Sequence, residues 1–108
     1  MASTSITKLL KVMRQLRDPK DGCEWDKIQT HESLIPFLKE ESQEVIEAIR
    51  KNDPENLKEE LGDLLLQIIF HSQIAEENKF FKFDDVVKSI SEKLVRRHPY
   101  VFDQKQEH

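Results

Sequence analysis

Glu41 and Glu44 lie three residues apart, as do Glu60 and Asp63. That spacing puts each pair on one face of a helix. If the segments around them are helices joined by the short connection Asn52-Asp53-Pro54, the helices are antiparallel neighbours and four carboxylates converge across one interface. Like charges about 4 Å apart repel by roughly 4 kcal/mol at an effective dielectric near 20. Something must offset that repulsion. The neighbours three and four positions away are Phe37, Leu38, Glu44 and Val45 for Glu41, and Glu40, Glu41, Glu47 and Ala48 for Glu44. For Glu60 they are Asn56, Leu57, Asp63 and Leu64, and for Asp63 they are Glu59, Glu60, Leu66 and Gln67. None is basic, so pairing within a helix does not account for the cluster.

Three readings remain: a cation from elsewhere in the fold, a bound metal ion, or a solvated acidic face with Glu41 reaching out of an apolar seam. All-oxygen ligation suits a hard ion such as magnesium, with manganese as a substitute. A di-iron bundle would need Glu-x-x-His, whereas Ile68 precedes His71 at that spacing. Magnesium held by few carboxylates also binds substrate phosphates. Lys93, Arg96, Arg97 and His98 could meet such phosphates, or could simply complement a helix C-terminus. Trp25 could stack on a base or anchor packing. His71 reads as a hydrogen-bonded core histidine, and Cys23 has no evident activating partner.

The elements that must position these groups read as all-α. Charged residues make up 35% of a 108-residue chain with two glycines and four prolines, a profile of one helical domain. The first helix covers about residues 5–17, and "RDPKDGCEWD" breaks it. The second starts near Thr30 or Ser33, with Pro36 favouring the later start, and runs to about Lys51. In it Leu34, Leu38, Glu41, Val45 and Ala48 share one seam. The third is capped by Asp53, opens on Pro54 and runs to about Glu77. One of its faces carries Leu57, Leu61, Leu64, Ile68 and Ala75; another carries Leu66, Phe70 and Ile74. Between them the polar strip Glu60, Asp63, Gln67 and His71 should face an internal cleft. "NKFFKF" is a loop expected to fold its aromatics back onto the bundle. Asp84 should cap the fourth helix, which Pro99 ends, and residues 103–108 read as a tail.

A third helix apolar on two sides cannot be covered by one four-helix protomer, which points to a homodimer. The net charge of −4 argues against duplex nucleic acid or an anionic membrane as principal partner. "LGDLLLQIIF" is too short to span a bilayer, nothing at the N-terminus resembles a signal peptide, and a single cysteine fits a reducing cytoplasm.

"EESQE" followed by "EELGD" resembles the Glu-Glu-x-x-Glu … Glu-x-x-Asp signature of the MazG nucleoside triphosphate pyrophosphohydrolases. "LRDPKDGCEWDKIQTHESL", "EELGDLLLQIIFHSQIA" and "EKLVRRHPYVF" resemble MazG blocks in the expected order, over roughly Leu9 to Phe102. Glu24 stands where the family often has proline. Many members carry two such domains, and this chain resembles the first. The resemblance implies a four-helix, intertwined α-helical dimer, sometimes a tetramer. It also implies magnesium-dependent cleavage of a nucleoside triphosphate to the monophosphate and pyrophosphate. It makes Glu41, Glu44, Glu60 and Asp63 the metal ligands, with Glu41 or Glu44 beside the attacking water and Glu40 further out. Lys93, Arg96 and Arg97 would then face the phosphates. The rival expectation is a helical dimerisation module that binds metal or nucleotide without turnover.

Overall fold

The computed structural model describes residues 4–106, and among these it contains five α-helices and no strand. Helix α1 is Ser5–Leu16, α2 Ile35–Lys51, α3 Pro54–Glu77, α4 Phe83–Arg97 and α5 Pro99–Gln106, with one 3-10 turn at Asp26–Ile28. The chain is thus all-α, with one helix more than the sequence suggests. Pro99 does end α4, but it also opens α5, since a proline is tolerated at a helix's first position. Residues 103–106, expected in a tail, continue that helix; 107–108 lie outside the described residues. Among the described residues no helix is long and apolar enough to cross a membrane.

Local chemistry sets the helix boundaries. Thr4 caps α1, its hydroxyl accepting the Thr7 N–H at 3.1 Å. Asp53 caps α3 as expected, accepting from the Asn56 N–H at 3.2 Å, with Pro54 following. Between α2 and α3, Asn52 takes a left-handed conformation (φ 56°) that its short polar side chain tolerates. Two expected caps lie elsewhere. Thr30 and Ser33 bond each other's backbone N–H reciprocally and close a turn, and α2 begins only after Leu34. Asp84 falls inside the first turn of α4; Asp85 does the capping, accepting the Lys82 N–H at 2.9 Å.

The α2–α3 hairpin is the spine of the molecule. The core gathers where α1 crosses the C-terminal half of α3: Met13, Leu34, Ile69, Phe70 and Ile74 are buried, with Leu9, Leu10, Leu16, Leu65 and Phe83 packed on them. Each such full burial contributes about 1.5–3 kcal/mol. Ile69 and Leu65, absent from both expected faces of α3, are central here, because α1 and the 17–34 segment approach α3 between those faces. By contrast Leu61 (48% exposed) and Ile68 (43%) stand open, as do Ile46 and Ile49 on α2. In the loop before α4, Phe80 and Phe81 are exposed rather than folded back; Phe83, the first residue of α4, is the aromatic of this stretch that reaches the core. The Cα radius of gyration is 17.0 Å, against about 13 Å for a compact chain of this length. The protomer is elongated and leaves apolar helix faces uncovered.

Candidate active site

Glu41 on α2 and Glu60 and Asp63 on α3 face one another across the hairpin, one oxygen from each lying within 4.8 Å of the other two. The seam that carries Glu41 explains its position: Leu34, Val45 and Ala48 are buried along the same stripe, so Glu41 is drawn inward with them. Its Oε2 is fully buried and has no hydrogen-bond partner. Burial, then the charges of Asp63, Glu44 and Glu40, push the Glu41 carboxyl above the usual carboxylate range.

Glu44, the fourth carboxylate, lies outside that tight trio but faces Glu60 closely enough to share a hydrogen bond with it when Glu60 keeps its proton. Two carboxyl groups can bond each other only if one keeps its proton. This bond, then burial and the charges of Glu44, Asp63 and Glu41, raise Glu60 to about 7. Among the described residues no ion pair reaches any of the four: the five ion pairs join other residues. Among the described residues no lysine or arginine forms an ion pair with the cluster. Converging, uncompensated oxygens, one of them buried and unpartnered, suit a hard divalent cation, whose charge would offset the repulsion and occupy the orphaned Glu41 oxygen.

The polar strip of α3 turns inward only in part: Asp63 is exposed and Glu60 half-buried. Gln67 is 7% exposed and its Oε1 is buried without a partner. His71 is half-buried, its Nδ1 2.7 Å from that of His31. The rings are parallel within 3° with centroids 5.0 Å apart. With the two Nδ1 atoms so close, they meet edge to edge in nearly one plane, sharing one N–H···N bond. Burial, then the charge of His31, holds His71 below the usual imidazole range.

Trp25 takes the packing role. Its ring stands edge-on to Phe37 (5.4 Å, 87°) and Phe70 (6.5 Å, 80°), and 47% of the residue stays exposed. Lys93 is half-buried on α4 and lines a cavity of about 450 Å³ with Phe81, Asp85 and Val86; Arg96, Arg97 and Glu40 are exposed. Helix α4 packs on α3 and α5, and among the described residues no ion pair links its basic end to the carboxylates. Among the described residues the protomer brings the acids together, and no ion pair joins them to Lys93, Arg96 or Arg97.

Residues 29–102 match the family model of the MazG nucleotide pyrophosphohydrolase domain. The chain belongs to the MazG family. It is 55% identical over 95 residues to the nucleoside triphosphate pyrophosphohydrolase/pyrophosphatase MazG of Thermotoga maritima, covering 88% of this chain and 37% of that protein. It is 50% identical over 97 residues to a nucleoside triphosphate pyrophosphohydrolase of Escherichia coli K12, covering 90% and 37%. The chain thus spans little more than a third of these relatives. A crystal structure of a MazG-related protein from Thermotoga maritima superposes with a TM-score of 0.72 at 32% identity, over 88% of this chain and 81% of that one.

His31, Gln67 and Arg17 are the residues of this MazG domain that sequence reasoning passed over or left without a role. The signal for Gln67 was its place in the polar strip. His31 and Arg17 sit in and beside an irregular segment, where periodicity gives no warning.

Proposed function

We propose that this MazG domain hydrolyses nucleoside triphosphates to the monophosphate and pyrophosphate in a magnesium-dependent reaction. The observation that carries the reading is the uncompensated convergence of Glu41, Glu60 and Asp63 within 4.8 Å. Those three residues, with Glu44, would hold the cation; manganese fits the same oxygens. When bound, the cation supplies Lewis-acid stabilisation of the triphosphate and a more acidic water.

The remaining chemistry falls to the chain. Glu41 or Glu44 orients the attacking water and takes its proton, a task that the raised Glu41 carboxyl suits. Attack at the α-phosphorus releases pyrophosphate as a unit. Trp25 offers its open face to the base. Lys93, Arg96 and Arg97 stabilise charge on the leaving pyrophosphate. Because the protomer leaves them apart from the acids, their route to the phosphates runs through a second copy of the chain. A homodimer, or a tetramer of two, would also cover the exposed Leu61, Ile68, Ile46 and Ile49.

A second reading, a metal- or nucleotide-binding module without turnover, is favoured by the separation of acids from basic residues in the protomer. Incubating the protein with magnesium and a panel of nucleoside triphosphates, then separating the products, decides between them. Monophosphate plus pyrophosphate is expected. Diphosphate plus inorganic phosphate would sink α-attack, and metal binding without hydrolysis would leave the module.

A further inference from the structure

His31 and His71 are forty residues apart in sequence, yet their Nδ1 atoms approach to 2.7 Å. That approach admits one proton. With none, two lone pairs face each other; with two, the N–H groups collide. The closed pair therefore holds two protons when neutral, or three if both Nε2 atoms also carry one, whereas two free imidazoliums hold four. The far edge of His71 gives no relief. Its Nε2 is buried and without a hydrogen-bond partner, so an N–H placed there goes unpaired.

The surroundings offer the second charge no counterion. Among the described residues no carboxylate forms an ion pair with either histidine. Along α3, the residues three and four positions from His71 are Gln67, Ile68, Ile74 and Ala75. Further on, Glu76 and Glu77 are engaged by Arg14 of α1 and by Arg17 just beyond it. Glu32, next to His31, is exposed, as are Lys39 and Glu40 on α2. Burial, then the charge of His31, holds His71 below the ordinary imidazole value of 6.5.

We propose that the His31–His71 contact is a proton-operated latch on the segment from Arg17 to Leu34. It holds the His31 end on α3 while the rings share one proton, and releases it when both are charged. The other anchor of that segment does not titrate: Arg17 stays charged and bonds Glu77 and the carbonyls of Asp26 and Gln29. Release is thus a local opening that leaves the helices in place. Trp25 lies between the two anchors and packs on Phe37 and Phe70, the latter adjacent to His71. Below pH 6.5 the released rings bind more protons than the closed pair, so the latch is firm above that value and fails as pH falls below it. Each extra proton bound lowers the ratio of latched to released protein by up to about tenfold per pH unit.

Trp25 is the only tryptophan of the chain and reports the opening. The test follows its emission in the full chain with magnesium from pH 8 to pH 4.5, in wild type, His31→Gln and His71→Gln. Glutamine can bond the remaining ring but cannot charge. The expected result is a reversible shift to longer wavelength in the wild type, with a midpoint below 6.5 and constant helical circular dichroism, and its absence in both variants. Melting is the poorer reporter, because the Glu60 proton moves stability in the opposite sense over the same range. A shift that survives in His71→Gln would assign it to quenching by a lone His31 imidazolium and overturn the latch. No shift in the wild type, or one that coincides with loss of helix, would overturn it too. If a variant fails to fold, the imidazole nitrogen resonances of the wild type decide: the last proton should bind in step with the Trp25 shift. Both rings charging while Trp25 stays unmoved would end the proposal.

Discussion

Arg17 reaches across sixty residues of sequence to Glu77, donating from Nε to Oε2 at 3.1 Å and from Nη2 to Oε1. Its other nitrogen, Nη1, donates to the carbonyls of Asp26 and Gln29 at 2.9 and 2.7 Å. One nearly buried guanidinium, also 5.6 Å over the Phe70 ring, thus ties the segment carrying Trp25 and His31 to the end of α3. Arg17→Lys should cost about 2 kcal/mol in urea unfolding, because an ammonium cannot serve a carboxylate fork and two carbonyls at once. It should also raise KM for triphosphates more than it lowers kcat. Unchanged unfolding would show that water replaces the lost bonds.

The raised Glu60 carboxyl makes the metal-free protein sensitive to pH. Between the ordinary value of 4.5 and about 7 the native state keeps a proton that the unfolded chain has released. The unfolded state then binds fewer protons, so stability falls as pH rises through that window. In chelator the melting temperature should drop from pH 5 to pH 8, and Glu60→Gln should flatten the drop. Magnesium at a hundredfold excess over its dissociation constant should add about 2.7 kcal/mol at pH 8 and less at pH 5, where it competes with the proton. A pH-independent magnesium effect would remove Glu60 from the ligand set.

Glu41→Gln keeps shape and removes charge at the orphaned oxygen. Turnover should fall by at least about a hundredfold, with circular dichroism and metal-free melting preserved or slightly improved by relief of repulsion. Retained turnover would assign the proton transfer to Glu44.

The open apolar faces predict assembly. Sedimentation should give a dimer or larger at micromolar concentration. Leu61→Glu and Ile68→Glu should dissociate it, while changing protomer contacts little, since both side chains are largely exposed in the protomer. A folded monomer in the wild type would contradict this.

Much of the fold was legible because helical signals are local. Asp53-Pro54 marks the start of α3, and the carboxylate spacing exposes itself by its lack of basic neighbours. What escaped was tertiary. Ile69 lies off the expected faces of α3 and becomes core only because α1 and the 17–34 segment pack there. The edge-to-edge histidines depend on an irregular turn that no period announces. The fifth helix was hidden by reading Pro99 as a stop alone. At the candidate site the acids were readable from spacing, whereas the separation of Lys93, Arg96 and Arg97 from them depends on where α4 docks.

The connection between the two acid-bearing helices is Asn52 and Asp53, the first in a left-handed conformation and the second already capping α3. It contains no slack. One inserted residue would turn α3 by about 100° relative to α2, and Glu60 and Asp63 would swing away from Glu41 with every residue identity intact. Chain length at this single point thus governs the chemistry as strictly as the acids do. Insertions in the stretch from Arg17 to Leu34 would leave the cluster standing, because none of its acids lies there.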